Sequence, residues 1–187
     1  MRKRLIAAAA LCCMFLGNAV FTSCSKDDDN SINGQSATKD TVPVALRTNL
    51  NLTVGQDMID NLNIIVKYYD EQGKLKKDTL EQTGWSKSVK AALPANMCLN
   101  MIVTPKDSDA LKSLDVFKYE CSYGYTCTLL NAANQIVGKT VTYSTNSKLS
   151  MKGDKAFEKV SRNDGQLIRI HHIFDQQGNA TQPTPVG

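Results

Sequence analysis

The chain has 187 residues, with 22 lysines and arginines against 18 aspartates and glutamates, which gives a formal net charge of +4 at pH 7. Three of the cations lie at positions 2–4, in a segment that we expect to be removed, and their loss lowers the charge to +1. A nearly neutral chain without a Lys/Arg stripe lacks the electrostatic footprint of a nucleic-acid-binding protein, and its remaining 164 residues suit one domain.

The N-terminal segment has the three-part pattern of a secretory signal peptide. Basic residues at positions 2–4 precede an apolar run from 5 to 21 and two small residues, Thr22 and Ser23. The apolar run has 17 residues, interrupted by a glycine and an asparagine, and about 17–25 are needed to span a membrane. We therefore predict a cleaved signal peptide over residues 1–23, with an uncleaved anchor as the alternative.

Cys24 resembles the lipid-bearing cysteine of a bacterial lipoprotein. Thr22 and Ser23 suit the small-residue positions of a lipobox, although Phe21 stands where Leu, Val or Ile is usual. The resemblance implies a diacylglyceryl group and an N-acyl chain such as palmitate on Cys24. Two or more acyl chains hold a protein stably at a membrane, whereas one does so only marginally. The expected location is therefore the outer membrane, with the lipid as the anchor.

An acidic run follows Cys24 directly. The run resembles the export signal that sends surface-exposed lipoproteins of the Bacteroidetes type to the cell exterior; its residues are Ser25, Lys26, Asp27, Asp28 and Asp29. The alternative is a solvated acidic start to a linker. Residues 24–40 are so polar that we predict a lipidated disordered tether, followed by a folded domain over 41–177 and a flexible tail over 178–187.

Alternation with a period of two dominates the predicted domain and indicates half-buried strands. The strand predictions in chain order are Val42–Thr48, Leu62–Tyr69, Lys74–Leu80, Trp85–Leu93, Cys98–Thr104, Phe117–Leu129, Ile136–Ser144 and Leu167–Phe174, with weaker ones at Leu50–Val54, Lys148–Lys152 and Phe157–Val160. A helical turn is predicted only at Ser108–Leu114, with Asp107 as its N-cap.

This pattern predicts an all-β fold, an antiparallel immunoglobulin-like β-sandwich of about seven to nine strands, with a small β-barrel as the alternative. The strand Phe117–Leu129 is long, so we expect a bulge or bend at Gly124. A tight turn at Gly124 that splits this strand into a hairpin is the second interpretation.

Cysteine spacing tests the choice between these two interpretations. With Cys24 lipidated, the domain keeps the odd set Cys98, Cys121 and Cys127. On one continuous strand Cys121 and Cys127 would lie about 20 Å apart, which is too far for a disulfide, whereas a hairpin would place them opposite each other. We expect buried free thiols, because all three occur in apolar strands.

Catalytic and metal sites are not indicated. The only histidines, His171 and His172, are adjacent in a predicted strand and should point to opposite faces, so they cannot easily share a metal ion or a substrate. The sequence shows no glycine-rich phosphate loop and no zinc-ligand spacing. We expect no cofactor and no metal, and a surface hydrolase or inhibitor is the least favoured interpretation.

Two aromatic residues are candidates for ligand contact. Trp85 starts an alternating run and is more readily explained as a core residue than as a sugar-binding platform. Tyr68 and Tyr69 should point to opposite faces, so we expect one of them to be exposed. We take Tyr69 as the second candidate contact.

Thr41 and Thr79 lie in Asp-Thr-apolar triplets that resemble the acceptor of Bacteroidetes-type O-glycosylation; unmodified strand ends are the alternative. The sequence as a whole predicts a non-enzymatic cell-surface lipoprotein that binds or assembles with an extracellular glycan or protein. Within this class, a glycan-uptake accessory protein and a fimbria-like or adhesive subunit are the two alternatives.

Overall fold

The computed structural model of the protein describes residues 41–182. The signal peptide, Cys24, the acidic run and the tether predicted up to residue 40 lie outside the described residues, as do residues 183–187. The elements are β1 (Ala45–Val54), α1 (Gln56–Asn61), β2 (Leu62–Tyr69), β3 (Leu75–Leu80), β4 (Gly84–Ala92), β5 (Ala95–Pro105), α2 (Ser108–Ser113), β6 (Phe117–Leu130), β7 (Ile136–Met151), α3 (Gly153–Ser161), a 3-10 turn (Arg162–Gly165), β8 (Gln166–Phe174) and β9 (Ala180–Thr181).

The strands form two antiparallel sheets. Sheet A has the order β4-β1-β6-β7, and sheet B has the order β3-β2-β5-β8-β9. The sheets do not close into a barrel, so the predicted all-β antiparallel sandwich is confirmed and the barrel alternative is wrong.

The core lies between the sheets and follows the alternation of the sequence. In β5 the residues Met97, Leu99 and Met101 point inward and are at most 2% exposed, and Ile64 of β2 and Phe117 of β6 are fully buried. Because successive side chains of a strand point to opposite faces, each of these strands covers the core with every second residue.

Each α-helix lies where the chain passes from one sheet to the other. The helix α1 joins β1 to β2, α2 joins β5 to β6, and α3 joins β7 to β8. The predicted cap of α2 is confirmed, because the Asp107 carboxylate accepts hydrogen bonds from the backbone N–H groups of Asp109 and Ala110 at 2.9 Å.

The predicted weak strand Phe157–Val160 is wrong, because these residues belong to α3. Ala156 and Val160, four residues apart, are buried on one face of the helix. On the exposed face Glu158 forms ion pairs with Lys155 and Arg162, at the spacings that join side chains along a helix. The helix α1 was not anticipated from the sequence either.

Strand lengths also differ from the prediction. The two segments predicted over 42–54 form the single strand β1, and those over 136–152 form the single strand β7. The expected tail contributes β9, since Ala180 and Thr181 pair with Phe174 and Ile173 of β8.

Strand β6 is continuous, so the hairpin interpretation at Gly124 is wrong. The irregularity of register also lies elsewhere, between Cys127 and Leu129. Gly124 has a different role: a Cβ atom at this position would lie 2.7 Å from the Tyr143 carbonyl oxygen. A glycine is therefore required for the close approach of β6 and β7.

Candidate interaction surface

Four strands form the edges of the two sheets in the described part of the chain, and three of them have features that discourage pairing with another chain. Strand β3 carries three charged residues in six, β4 carries two lysines, and β9 has only two residues. Charges and short length are the usual protection of an exposed sheet edge. Strand β7 has 16 residues and is the exception, because its two lysines, Lys139 and Lys148, lie on either side of an uncharged run over 140–147.

The edge formed by β3 and β4 is closed by a polar cluster. The Asp78 carboxylate of β3 accepts a hydrogen bond from Trp85 Nε1 of β4 (2.9 Å), and Lys87 Nζ lies 3.2 Å from it. Tyr68 packs edge-on against the indole, with ring centroids 5.5 Å apart, and donates to Asp78 at 3.4 Å. These contacts link the two sheets at this edge, and we call the four residues the edge clasp.

Electrostatics in the edge clasp favour the ionised carboxylate. Partial burial acts to raise the pKa of Asp78, but the hydrogen bonds from Trp85 and Lys87 outweigh it and hold the pKa below its usual range. The hydrogen bond to Asp78 and the negative charge of that carboxylate raise the pKa of Lys87. Trp85 is half-buried against the core, in agreement with its interpretation as a core residue; contact between Trp85 and a ligand stays a prediction.

The opposite edge, β7, is exposed over almost its whole length, including residues that point inward. Val141 is 53% exposed, Tyr143 44% and Leu149 46%. The residues directly opposite these three in the neighbouring strand β6 are buried in the sandwich; they are Cys127, Tyr125 and Tyr119. Strand β7 therefore extends beyond the cover that sheet B provides, and its inward face presents apolar side chains to solvent.

Aromatic side chains connect this exposed row to the interior. Tyr143 stacks on Tyr125 with ring centroids 5.5 Å apart, and Tyr125 Oη lies 3.0 Å from His172 Nε2 of sheet B. Tyr123 lies on the other side of Tyr143, with centroids 6.2 Å apart. We call Tyr123, Tyr125, Tyr143 and His172 the aromatic cluster.

The fold favours the neutral forms of His172, Tyr123 and Tyr125 in the aromatic cluster. Burial, with a smaller contribution from His171, lowers the pKa of His172. Burial also raises the pKa of Tyr125, and together with the neighbouring Tyr143 it raises that of Tyr123 to about 12. The cluster therefore combines apolar rings with polar atoms at their rim, a composition that is common in interaction surfaces.

The main-chain groups of β7 have a defined direction. Ser122 Oγ donates to the Thr145 carbonyl oxygen (3.3 Å), and the Tyr143 carbonyl oxygen lies against Gly124, so both carbonyl groups point toward β6. Consecutive residues of an antiparallel strand direct their N–H and C=O groups to opposite sides. The main-chain groups of the even-numbered residues between 142 and 150 therefore point to the free edge.

The side chains along this edge offer little protection. Residues 140–147 read Thr-Val-Thr-Tyr-Ser-Thr-Asn-Ser, a β-prone run without charge, proline or glycine. Lys148 follows this run, and its ammonium group lies 3.5 Å from the Glu120 carboxylate of β6. An uncharged run at the edge of a sheet is a template for another strand.

A shallow cleft lies on sheet A near the β3–β4 turn. It has a volume of about 510 Å³, and its lining includes Asn51, Thr53, Gln82 and Ser86. Trp85 also lines the cleft, but its side chain points to the opposite face of the sheet, where the edge clasp holds the indole N–H. Amide and hydroxyl groups of this kind can bind the hydroxyl groups of a neutral sugar.

The second predicted contact residue, Tyr69, lies on the outer face of sheet B. Its ring is half-buried and tilted against His171, with centroids 5.7 Å apart. The two histidines therefore point to opposite faces as predicted: His172 lies in the aromatic cluster, and His171 lies beside Tyr69. The His171 Nε2 atom is buried and has no hydrogen-bond partner among residues 41–182.

The three thiols of the domain are free and buried, as predicted from the strand assignment. Burial raises the pKa of Cys98 and of Cys121 to about 11, and that of Cys127 to about 12. A thiol must ionise to act as a nucleophile, so the fold disfavours nucleophilic reactions of these three residues. Thr41 and Thr79 are both exposed, and their glycosylation stays a prediction.

The sequence did not identify β7 as an exposed edge strand. Its two halves were predicted as separate strands, and the order of strands in a sheet depends on contacts that the sequence does not display. The uncharged run over 140–147 was the available signal.

Within the described range 41–182, the side chains form no group of three His, Cys, Asp or Glu residues that could hold a metal ion. No helix in that same part of the chain has the length and hydropathy needed to cross a membrane. No protein-family model, no curated protein and no solved structure matches this chain.

Proposed function

We propose that this protein is a lipid-anchored, non-enzymatic module on the cell surface, which binds or assembles with another protein through the edge of β7. The observation that carries the proposal is the combination of a long edge strand, uncharged over 140–147, with exposed apolar side chains on its inward face. Addition of a strand to such an edge is a common mode of protein recognition, in which main-chain hydrogen bonds give affinity and side-chain contacts give specificity.

The sequence supplies the location in this proposal. Cys24 and the acidic run Ser25–Asp29 resemble a lipidation site and a surface-export signal, and a lipid at Cys24 would display the sandwich outside the cell. The non-enzymatic part is supported by the raised pKa values of the three thiols and by the separation of the two histidines on opposite faces of β8.

Surface display and partner binding can be tested on the same cells. Protease added to intact cells should degrade the wild-type protein, and replacement of Asp27, Asp28 and Asp29 by Ala should protect it. A photo-crosslinking residue at Asn146, on the β7 edge, should capture a defined partner, and the Tyr143→Lys substitution should abolish the capture. The matched control is a crosslinker at Ser86 on β4, which should capture no protein. Equal capture at both positions would contradict the proposal.

The cleft on sheet A favours a second candidate function, the binding of a neutral glycan. Its lining offers amide and hydroxyl groups from Asn51, Gln82 and Ser86. Binding on a glycan array that Gln82→Ala abolishes would support this function. Trp85→Ala is a poor test, because it would also disrupt the edge clasp, and Tyr69→Ala tests the outer face of sheet B separately.

A further inference from the structure

We propose that the partner of β7 is a second copy of this chain, paired with it in antiparallel orientation about a two-fold axis that passes through Asn146. This inference rests on the proposed function and names the partner within it. The pairing would join the two copies of sheet A into one continuous sheet of eight strands.

The length of the regular part of β7 determines where the axis passes. From Val141 to Met151 the strand pairs with β6 without a shift of register, and the irregularity lies just beyond Val141. The midpoint of this regular segment is Asn146. An axis at the midpoint lets two copies use the whole segment, whereas a displaced axis would leave part of each edge unpaired.

The direction of the main-chain groups agrees with this register. The N–H and C=O groups that point to the free edge belong to even-numbered residues, as the contacts of the Tyr143 and Thr145 carbonyl groups with β6 require. An axis through an even-numbered residue pairs even residues with even residues. Asn146 then faces Asn146 of the other copy, and Ser144 faces Lys148.

The side chains are self-complementary in the same register. On the inward face Tyr143 of one copy lies opposite Leu149 of the other, and Val141 lies opposite Met151. Each pair occurs twice because of the symmetry, so the exposed apolar row covers itself, and apolar cross-strand pairs stabilise antiparallel sheets. No two charges of like sign face each other within the segment, and Lys148 keeps its ion pair with Glu120 of its own copy.

The preceding segment of the same chain is a poorer occupant of this edge. Residues 25–40 contain Ile32 and Ala37 as their only apolar side chains, so they offer nothing to cover Val141, Tyr143 and Leu149. A second copy, in contrast, brings the same apolar row and the same uncharged edge. A high local concentration on a membrane surface would favour this pairing further.

The test uses the mature chain, residues 24–187, with Cys24→Ser so that it remains unlipidated. Sedimentation over about a hundredfold range of concentration should show conversion of monomer to dimer. The Tyr143→Lys and Leu149→Lys variants, which place a charge on the inward face of the edge, should remain monomeric while their circular dichroism stays unchanged. The matched control Ser86→Lys, on the opposite edge of sheet A, should dimerise like the wild type.

The register is tested by a disulfide. Paired residues at the axis have Cα atoms about 5.5 Å apart, within the range of about 4.4–6.8 Å that a disulfide accepts. The Asn146→Cys variant should form a covalent dimer under oxidation at least tenfold faster than the Ser86→Cys variant. A wild-type chain that stays monomeric throughout, or equal rates for the two variants, would overturn the inference. If the photo-crosslinking residue at Asn146 then still captures a different protein on intact cells, the proposed function stands without self-pairing. If it captures no protein, both the self-pairing and the proposed function are wrong.

Discussion

The Asp78→Asn substitution in the edge clasp should lower the free energy of unfolding by about 1–2 kcal/mol. The Asp78 carboxylate accepts hydrogen bonds from Trp85 and Tyr68 and pairs with Lys87. A hydrogen bond to a charged group contributes about 1.5–3 kcal/mol, and an exposed ion pair about 0.2–1 kcal/mol. The Asp78 side chain is 29% exposed, and an asparagine keeps one acceptor oxygen, so only part of these contributions is lost.

Urea unfolding monitored by tryptophan fluorescence measures this effect directly, because Trp85 is the only tryptophan of the chain and lies in the clasp. The effect should depend on pH in one direction. Since the folded state lowers the pKa of Asp78, its stabilisation is present above the unfolded pKa of about 3.9 and is lost as the pH falls through the lower folded value.

The matched control is Asp109→Asn. Asp109 also pairs with a lysine, Lys112, but its side chain is 97% exposed, so we expect no measurable change in stability. An Asp78→Asn variant as stable as the Asp109→Asn variant would refute the proposed role of the clasp. A loss of stability that does not shrink as the pH falls below about 3.9 would show that the carboxylate charge is not its source.

Three further outcomes follow from the structure. Gly124→Ala should cost about 1–3 kcal/mol in urea unfolding because its Cβ would lie 2.7 Å from the Tyr143 carbonyl oxygen, whereas Gly84→Ala meets no atom and should cost far less; equal losses would contradict the close approach of β6 and β7. The three thiols should not react with a thiol reagent at pH 8 until the protein unfolds, and rapid labelling of the native chain would show that they are accessible. Because the fold lowers the pKa of His172, the unfolded state binds more protons below about pH 6.5; the free energy of unfolding should fall with acidification there, and the His172→Gln variant should show a smaller fall.

Local patterns predicted the fold well where one strand buries every second side chain. Phe117–Leu129 alternates throughout, and the structure confirms one strand with Cys121 and Cys127 apart and unpaired. The pattern failed at α3, where the apolar residues 156, 157 and 160 fit a short strand as well as a helix. The ion pairs of Glu158 that stabilise the helix are weak signals within nine residues.

The candidate surface could not be predicted in the same way, because it depends on strand order. Nothing in residues 136–151 states that β7 has one neighbour in the described part of the chain, or that Tyr143 is 44% exposed although it lies opposite the buried Tyr125. The partner of Trp85 was equally hidden. Asp78 is separated from Trp85 by a turn and lies in the other sheet, so the sequence allowed Trp85 to be either a sugar-binding platform or a core residue. In the structure the hydrogen bond to Asp78 holds the indole in the edge clasp.

Amide hydrogen exchange resolved by residue tests the central claim, that the edge of β7 is the interaction surface. The protein extracted from cells in mild detergent would be compared with the same protein after dilution. We expect slow exchange at Thr142, Ser144 and Asn146 in the assembled sample and fast exchange after dilution, with no change at Ser86 on the β4 edge. Fast exchange at these three β7 amides in both samples would contradict it.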